Sequence, residues 1–273
     1  MQSIWLSLKS SMKCGTEPAA LFHPEKRQAG ARPILRGNHE RRGVIVNGGF
    51  PPSEIIPWTH TGTAQFSVLS KGDTSRNIVE MIIKAASEDP KRQFPEISTV
   101  LKVVHSPKAI ERFENYREAV KFRAQKQQRR HPRWLADGNE LLRFHTTTIA
   151  CQPSSRCLST NPPLVLAEFR KLCKFSCCGV CRIVEGGFQM GEGSHGKIKM
   201  SSLISDRFGD VGPKGGEKRA VVVCRVIAGR VGRLREGEKW THYGFDSMVG
   251  CSNCDELYVN NPQAILPCFV VIY

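Results

Sequence analysis

Along "FSVLSKGDTSRNIVEMIIKAA" the residues Ile78, Met81, Ile82 and Ala85 fall at i, i+3, i+4 and i+7, the stripe of an amphipathic helix. Asn77 followed by Glu80 offers a capping pair for its start. The β-branched run "ISTVLKVV" predicts a strand. In "HSPKAIERFENYREAVKFRA" Ser106 can cap a second helix and Pro107 suits its first position, with Ile110, Phe113 and Val120 turned to the core. Pro132 ends the basic extension that follows. From "NELLRFHTTTIA" onward the pattern shortens to strand-like runs, "VCRIVEGGF", "RAVVVCRVIAGRV", "DELYV" and "AILPCFVVIY", between Gly-rich loops. Helices followed by several strands is the order of an α+β domain.

Two of the strands carry polar residues that bear on function. In "LLRFHTTT" alternation sets Leu142 and Phe144 on one face and Arg143, His145 and Thr147 on the other. His145 is either a satisfied structural residue or a functional one. In "CDELYVNNPQAILPCFVVIY" an Asn-Asn-Pro-Gln turn joins two strands and fixes Glu256 at the head of the first. A carboxylate there has three readings: a solvated strand end, an ion-pair partner, or a catalytic group.

Composition adds boundaries and partners. The first 60 or so residues are rich in Gly, Pro, Arg and His with little periodic hydrophobicity, which predicts a disordered basic segment at 1–60 and one folded domain over 61–273. The formal charge of +15 and pI near 9.5 favour anionic partners, whether nucleic acid, a dinucleotide or acidic protein. The run from Lys121 to Arg133 is either a solvated helix end or such a contact surface. No apolar run approaches the length of a bilayer span and the N-terminus does not read as a signal peptide, so no membrane partner is expected. The odd count of 11 cysteines points to reduced thiols in an intracellular compartment, nucleus or cytoplasm.

Cys173, Cys177, Cys178 and Cys181 crowd into nine residues, and Cys251 with Cys254 forms a second pair. Zinc held by Cys178, Cys181, Cys251 and Cys254 is one reading; the favoured one has these cysteines buried as small hydrophobes on a strand, with no metal bound. The segment "EGGFQMGEGSHG" lacks the Lys-Ser/Thr ending of a phosphate loop and reads as a flexible loop.

The order of segments over residues 64–273 resembles the catalytic domain of the poly(ADP-ribose) polymerase-like (PARP-like) ADP-ribosyltransferases. "NELLRFHTTT" is similar to that family's histidine-bearing strand, "KRAVVVCRVIAGRV" to the strand behind its site, and "CDELYVNNPQAILPCFVVIY" to its glutamate-bearing ending. More narrowly, "SRNIVEMII", "FENYREAVKFRA" and "ADGNELLRFH" resemble a plant group in which such a domain follows a C2H2 zinc finger. Only Cys14 precedes residue 150, so the finger's paired cysteines are absent and no finger-mediated DNA contact is expected.

The resemblance implies split, mostly antiparallel sheets around an NAD crevice. It assigns Glu256 the catalytic position, bonded to the nicotinamide-side ribose, and assigns His145, Thr146, Thr147 and Ile198 to NAD. A fixed carboxylate beside that ribose would stabilise an oxocarbenium-like state as the glycosidic bond breaks. Three departures alter this expectation. Thr146 stands where the family has glycine and sets a Cβ where backbone should approach the nicotinamide. In "HGKIKMSS" Ile198 or a neighbour replaces a tyrosine whose ring would stack on nicotinamide. Asp255 adds a like charge expected to raise the Glu256 pKa. Two functions follow: weak mono-ADP-ribosylation of a protein or nucleic-acid acceptor with NAD as donor, or a catalytically inactive module of the same fold that binds protein or nucleic acid.

Overall fold

The computed structural model describes residues 21–22, 64–88, 94–127, 131–151, 172–173, 178–189, 197–204, 218–233, 244–250 and 254–273. The segment 1–60 lies outside these apart from Leu21 and Phe22. In chain order the elements are β1 (Leu21–Phe22), β2 (Gln65–Leu69), α1 (Thr74–Ala85), β3 (Thr99–Val104), α2 (Pro107–Gln125), α3 (Pro132–Ala136) and β4 (Glu140–Ile149). There follow α4 (Gly179–Gly186), β5 (Ile198–Ser201), β6 (Lys218–Ile227), β7 (Val231–Arg233), β8 (Ser247–Val249), β9 (Glu256–Val259) and β10 (Ile265–Ile272), the last preceded by a 3-10 turn at Pro262–Ala264.

Helix α1 begins three residues before Asn77, because the Asp73 carboxylate accepts from the backbone N–H of Ser75 at 2.7 Å and of Arg76 at 3.3 Å. Its buried stripe is Val79, Ile82 and Ile83, packed against the sheet, while Met81, expected inside, is 63% exposed. Helix α2 starts as its sequence predicts, with Ser106 accepting from Ala109 N–H and Pro107 in the first turn. Phe113 and Val120 are buried with Ala109 and Ala124; Ile110 sits one position off that stripe and is 44% exposed. Pro132 opens the short α3 instead of closing a helix, since proline's missing N–H costs nothing in a first turn. The run "VCRIVEGGF", expected as a strand, forms α4. Its buried Val180, Cys181, Ile183 and Val184 follow the helical period, which here outweighs β-branched content.

All ten strands join one sheet in the order β1-β7-β8-β9-β5-β4-β6-β10-β3-β2. Its pairs are antiparallel except β1 with β7 and β7 with β8. The long central pairs β4 with β6 and β6 with β10 are in register over most of their length. Strands β4 and β5, by contrast, share the single pair Phe144↔Ser201, so the sheet is nearly divided there into two halves.

Alternation separates two cores. Leu142, Phe144, Val221, Val223 and Val271 pack on Val79 and Ile83 of α1. On the other face Val222, Cys224, Val226, Met200 and Leu257 pack with Phe113 and Val120 of α2 and with α4. At the start of β4 the buried Glu140 receives Arg225 in a fork, 2.7 Å to Oε1 and 2.9 Å to Oε2, and Arg117 at 2.5 Å. Both guanidinium groups also lie over the Phe113 ring, at 5.0 and 5.3 Å. Desolvation pushes the Glu140 carboxyl up, yet hydrogen bonds and charge from Arg225 and Arg117 outweigh it and hold the pKa below its ordinary value. Among the described residues no helix is long and apolar enough to cross a membrane.

Candidate functional site

The two polar residues singled out in the sequence flank β5, one on each neighbouring strand. On β9, Glu256 lies opposite Ser201 and Tyr258 opposite Lys199. Cross-strand partners and i, i+2 neighbours share a face, so Glu256, Tyr258, Lys199 and Ser201 are presented together. The Lys199 ammonium is 2.5 Å from Glu256 Oε1, and the Tyr258 hydroxyl donates to Oε2 at 2.7 Å. Of the three readings of this strand-head carboxylate, the geometry displays the ion-pair partner.

Desolvation pushes the Glu256 pKa up, but the hydrogen bonds from Lys199 and Tyr258 and the charge of Lys199 bring it below its ordinary value. The expected upward push from Asp255 is not what governs this carboxyl. Asp255 is turned to Ser202, whose hydroxyl donates to Oδ1 at 2.6 Å.

Ile198, expected to contact NAD in place of the family's tyrosine, is 3% exposed and packed in the core with Met200 and Leu257. The side chain beside Glu256 is its neighbour Lys199. The signal was present in "KIKMS", where apolar Ile198 and Met200 alternate with polar Lys199 and Ser201.

Phe144 pairs with Ser201 and so shares the face of Glu256; His145, the next residue along β4, points to the other face. There its ring meets Phe188 edge-on, 5.1 Å between centroids, and Nδ1 is 3.3 Å from the Lys199 carbonyl oxygen, to which an Nδ1–H donates. Burial lowers the imidazole pKa and the charge of Arg182 lowers it further, against the opposing bond to Lys199. The neutral ring is thus favoured. Thr146 is exposed on the face of Glu256, and Thr147 is half-buried on that of His145. Gly179 at the start of α4 approaches β4 so closely that a Cβ there would lie 2.0 Å from Thr147 Oγ1.

The described cysteines group differently from the zinc quartet considered in the sequence. Cys178 and Cys181 lie with Cys151 and Cys173, all four Sγ atoms within 4.8 Å of one another. Cys254 is exposed and accepts from Arg233 at 3.0 Å, while Cys251 and Cys177 lie outside the described residues. Most of "EGGFQMGEGSHG" also lies outside them.

Within the basic run, Lys121 pairs with Glu118 at 2.8 Å, Arg123 with Asp246 at 2.6 Å, and Arg133 with Asp137 at 2.9 Å. Lys126 covers the exposed Phe122 ring at 4.2 Å. Residues 128–130 lie outside the described set. A cavity of 190 Å³ beside this run is lined by Arg123, Gln127, Trp134, Arg230 and Phe245 among others.

No family model matches the sequence, and no curated protein matches it. Among solved structures the chain is similar to the crystal structure of the TASOR pseudo-PARP domain, with a TM-score of 0.51 and 15% identity, over 77% of this chain and 99% of that one. At that identity the likeness speaks to architecture alone, and nothing in these comparisons supports the narrower plant zinc-finger group. The mixed helices, the large mostly antiparallel sheet and this neighbour together give the conclusion that the chain has a PARP-like α+β fold.

Proposed function

We propose that this PARP-like domain is a catalytically silent interaction module. The observation that carries the reading is the double engagement of Glu256: Lys199 holds one carboxylate oxygen at 2.5 Å and Tyr258 the other at 2.7 Å. A carboxylate that must accept from a ribose hydroxyl would first have to release one of these donors. Two further features support the reading. The side chain beside Glu256 is a cation, which repels developing positive charge at a ribose instead of stabilising it. His145 and Glu256 also lie on opposite faces of the sheet, so the two residues do not fit one dinucleotide spanning both.

An interaction module with a formal charge of +15 recruits an anionic partner, an acidic protein surface or a nucleic acid. Binding of that kind weakens steeply with added salt, since each neutralised phosphate releases counterions.

The competing reading is weak mono-ADP-ribosylation with NAD as donor; what favours it is that Glu256 stays ionised at the head of a rigid strand. Incubation of the full chain with labelled NAD separates the two. The proposal expects no label on the chain or on added acceptors. Label transfer that disappears in Glu256→Gln overturns it and restores the enzyme reading.

A further inference from the structure

We infer that Cys151, Cys173, Cys178 and Cys181 form a structural tetrathiolate zinc site that clamps helix α4 onto the end of strand β4. The four sulfurs come from three separate stretches of chain. Cys151 follows β4, Cys173 belongs to the short described stretch 172–173, and Cys178 and Cys181 are the N-cap and a first-turn residue of α4. Cys151 Sγ is 3.6 Å from Cys178 Sγ and 3.5 Å from Cys181 Sγ, and all four sulfurs lie within 4.8 Å of one another. Tetrahedral zinc with Zn–S bonds of about 2.3 Å requires sulfurs about 3.8 Å apart, so the cluster needs only small adjustments to surround one ion.

The ligand set suits that ion. Four sulfurs and no nitrogen or oxygen select a thiophilic metal in tetrahedral geometry, and a closed set of four leaves no open position for catalysis. Cys178 and Cys181 are fully buried, which shields their side of the site from water, while Cys151 and Cys173 are half-buried. The backbone N–H of Cys173 donates to Cys181 Sγ at 3.4 Å, an outer contact that orients a thiolate ligand and offsets its charge. The N-terminal end of α4 adds a favourable field for the two thiolates placed there.

A clamp is needed at this place. Helix α4 has eight residues, too few to be stable by itself. It nevertheless lies against β4 at Gly179 and Thr147, and the chain leaving it delivers Phe188 to the His145 ring. Zinc would tie both ends of the segment between Cys151 and Cys173 to the helix start, and its binding free energy would become folding free energy for this corner. On binding, zinc displaces whatever protons the four thiols still carry, giving a dianionic Zn(Cys)4 unit and free protons.

The test is metal analysis with X-ray absorption on the full chain, purified under reducing conditions and supplied with zinc chloride. About one zinc per chain with four sulfur neighbours at about 2.3 Å is expected. Cys151→Ser and Cys181→Ser lower zinc affinity at least tenfold, whereas Cys254→Ser leaves it unchanged. A strong chelator lowers Tm and zinc chloride restores it. If the serine variants fail to fold, the sulfur shell of the wild-type chain decides alone. No bound zinc, a shell containing nitrogen or oxygen, or zinc retained undiminished in both folded serine variants overturns the site, as does a disulfide among these four cysteines in the purified chain.

Discussion

Glu140 and Glu256 both stand at the first position of a strand, and both are held by cations, yet one pairing is buried and the other half in water. Glu140 is 4% exposed and receives three short contacts from two arginines that are themselves stacked on Phe113. Removing its charge would leave these two guanidinium groups with the half-exposed Glu114, at 2.7 Å from Arg117 and 3.5 Å from Arg225, as their remaining carboxylate. Glu256 meets a lysine whose side chain is 51% exposed, so water already solvates much of that pair. The first pairing is part of the fold. The second is an exposed pair of the kind that contributes little to stability, and in the function proposed above its part is to occupy the carboxylate.

The contrast is broken or sharpened by graded substitutions. Glu140→Gln is expected to cost about 3 kcal/mol in denaturant unfolding, the low end for a broken buried pair, because Glu114 alone is left to compensate two largely buried arginines. A loss under about 1 kcal/mol would place this cluster in the same class as an exposed pair. The same carboxylate sets an acid limb. Its folded pKa lies below the ordinary value, so its contribution is fully present above that value and is lost as pH falls toward and through the folded one. Stability of the wild-type chain should therefore fall more steeply below about pH 4.5 than that of Glu140→Gln. Equal slopes in the two proteins would remove Glu140 from the explanation.

Gly179→Ala tests how closely α4 approaches β4. A Cβ placed 2.0 Å from Thr147 Oγ1 forces the two apart and is expected to cost about 1–3 kcal/mol by overpacking. Adding Thr147→Ala should recover part of that loss. The smallest effect belongs to Glu256→Gln, under about 1 kcal/mol, as for other partly exposed ion pairs. A loss as large as that of Glu140→Gln would erase the distinction between the two sites.

Much of the scaffold was legible from local pattern. Ser106-Pro107 fixed the start of α2, the β-branched runs marked β3, β6 and β10, and the Asn-Asn-Pro-Gln turn set β9 at its observed place. The misses have physical causes. Asp73 can accept two backbone N–H groups, so α1 starts before Asn77, while packing on the sheet selects Val79, Ile82 and Ile83 as its buried stripe. In α4 a β-branched composition conceals a helical period.

The site was harder to read, because its chemistry depends on pairing between distant strands. Alternation within "KIKMS" already separates Lys199 from Ile198, but only the register of β5 with β9 sets the lysine against Glu256. Likewise, that His145 and Glu256 face opposite ways follows from one pair, Phe144↔Ser201, which no local pattern announces. The approach of Cys151 to the later cysteines is of the same kind: 22 positions separate it from Cys173 in sequence, and the fold closes the gap.

Calorimetric titration of the full chain with NAD, from micromolar to millimolar, tests most directly whether Glu256 is committed to Lys199 and Tyr258. The account predicts no heat beyond dilution in the wild-type chain. A saturable heat that vanishes in Glu256→Gln would contradict it, for that carboxylate would then be exchanging its lysine for a ribose.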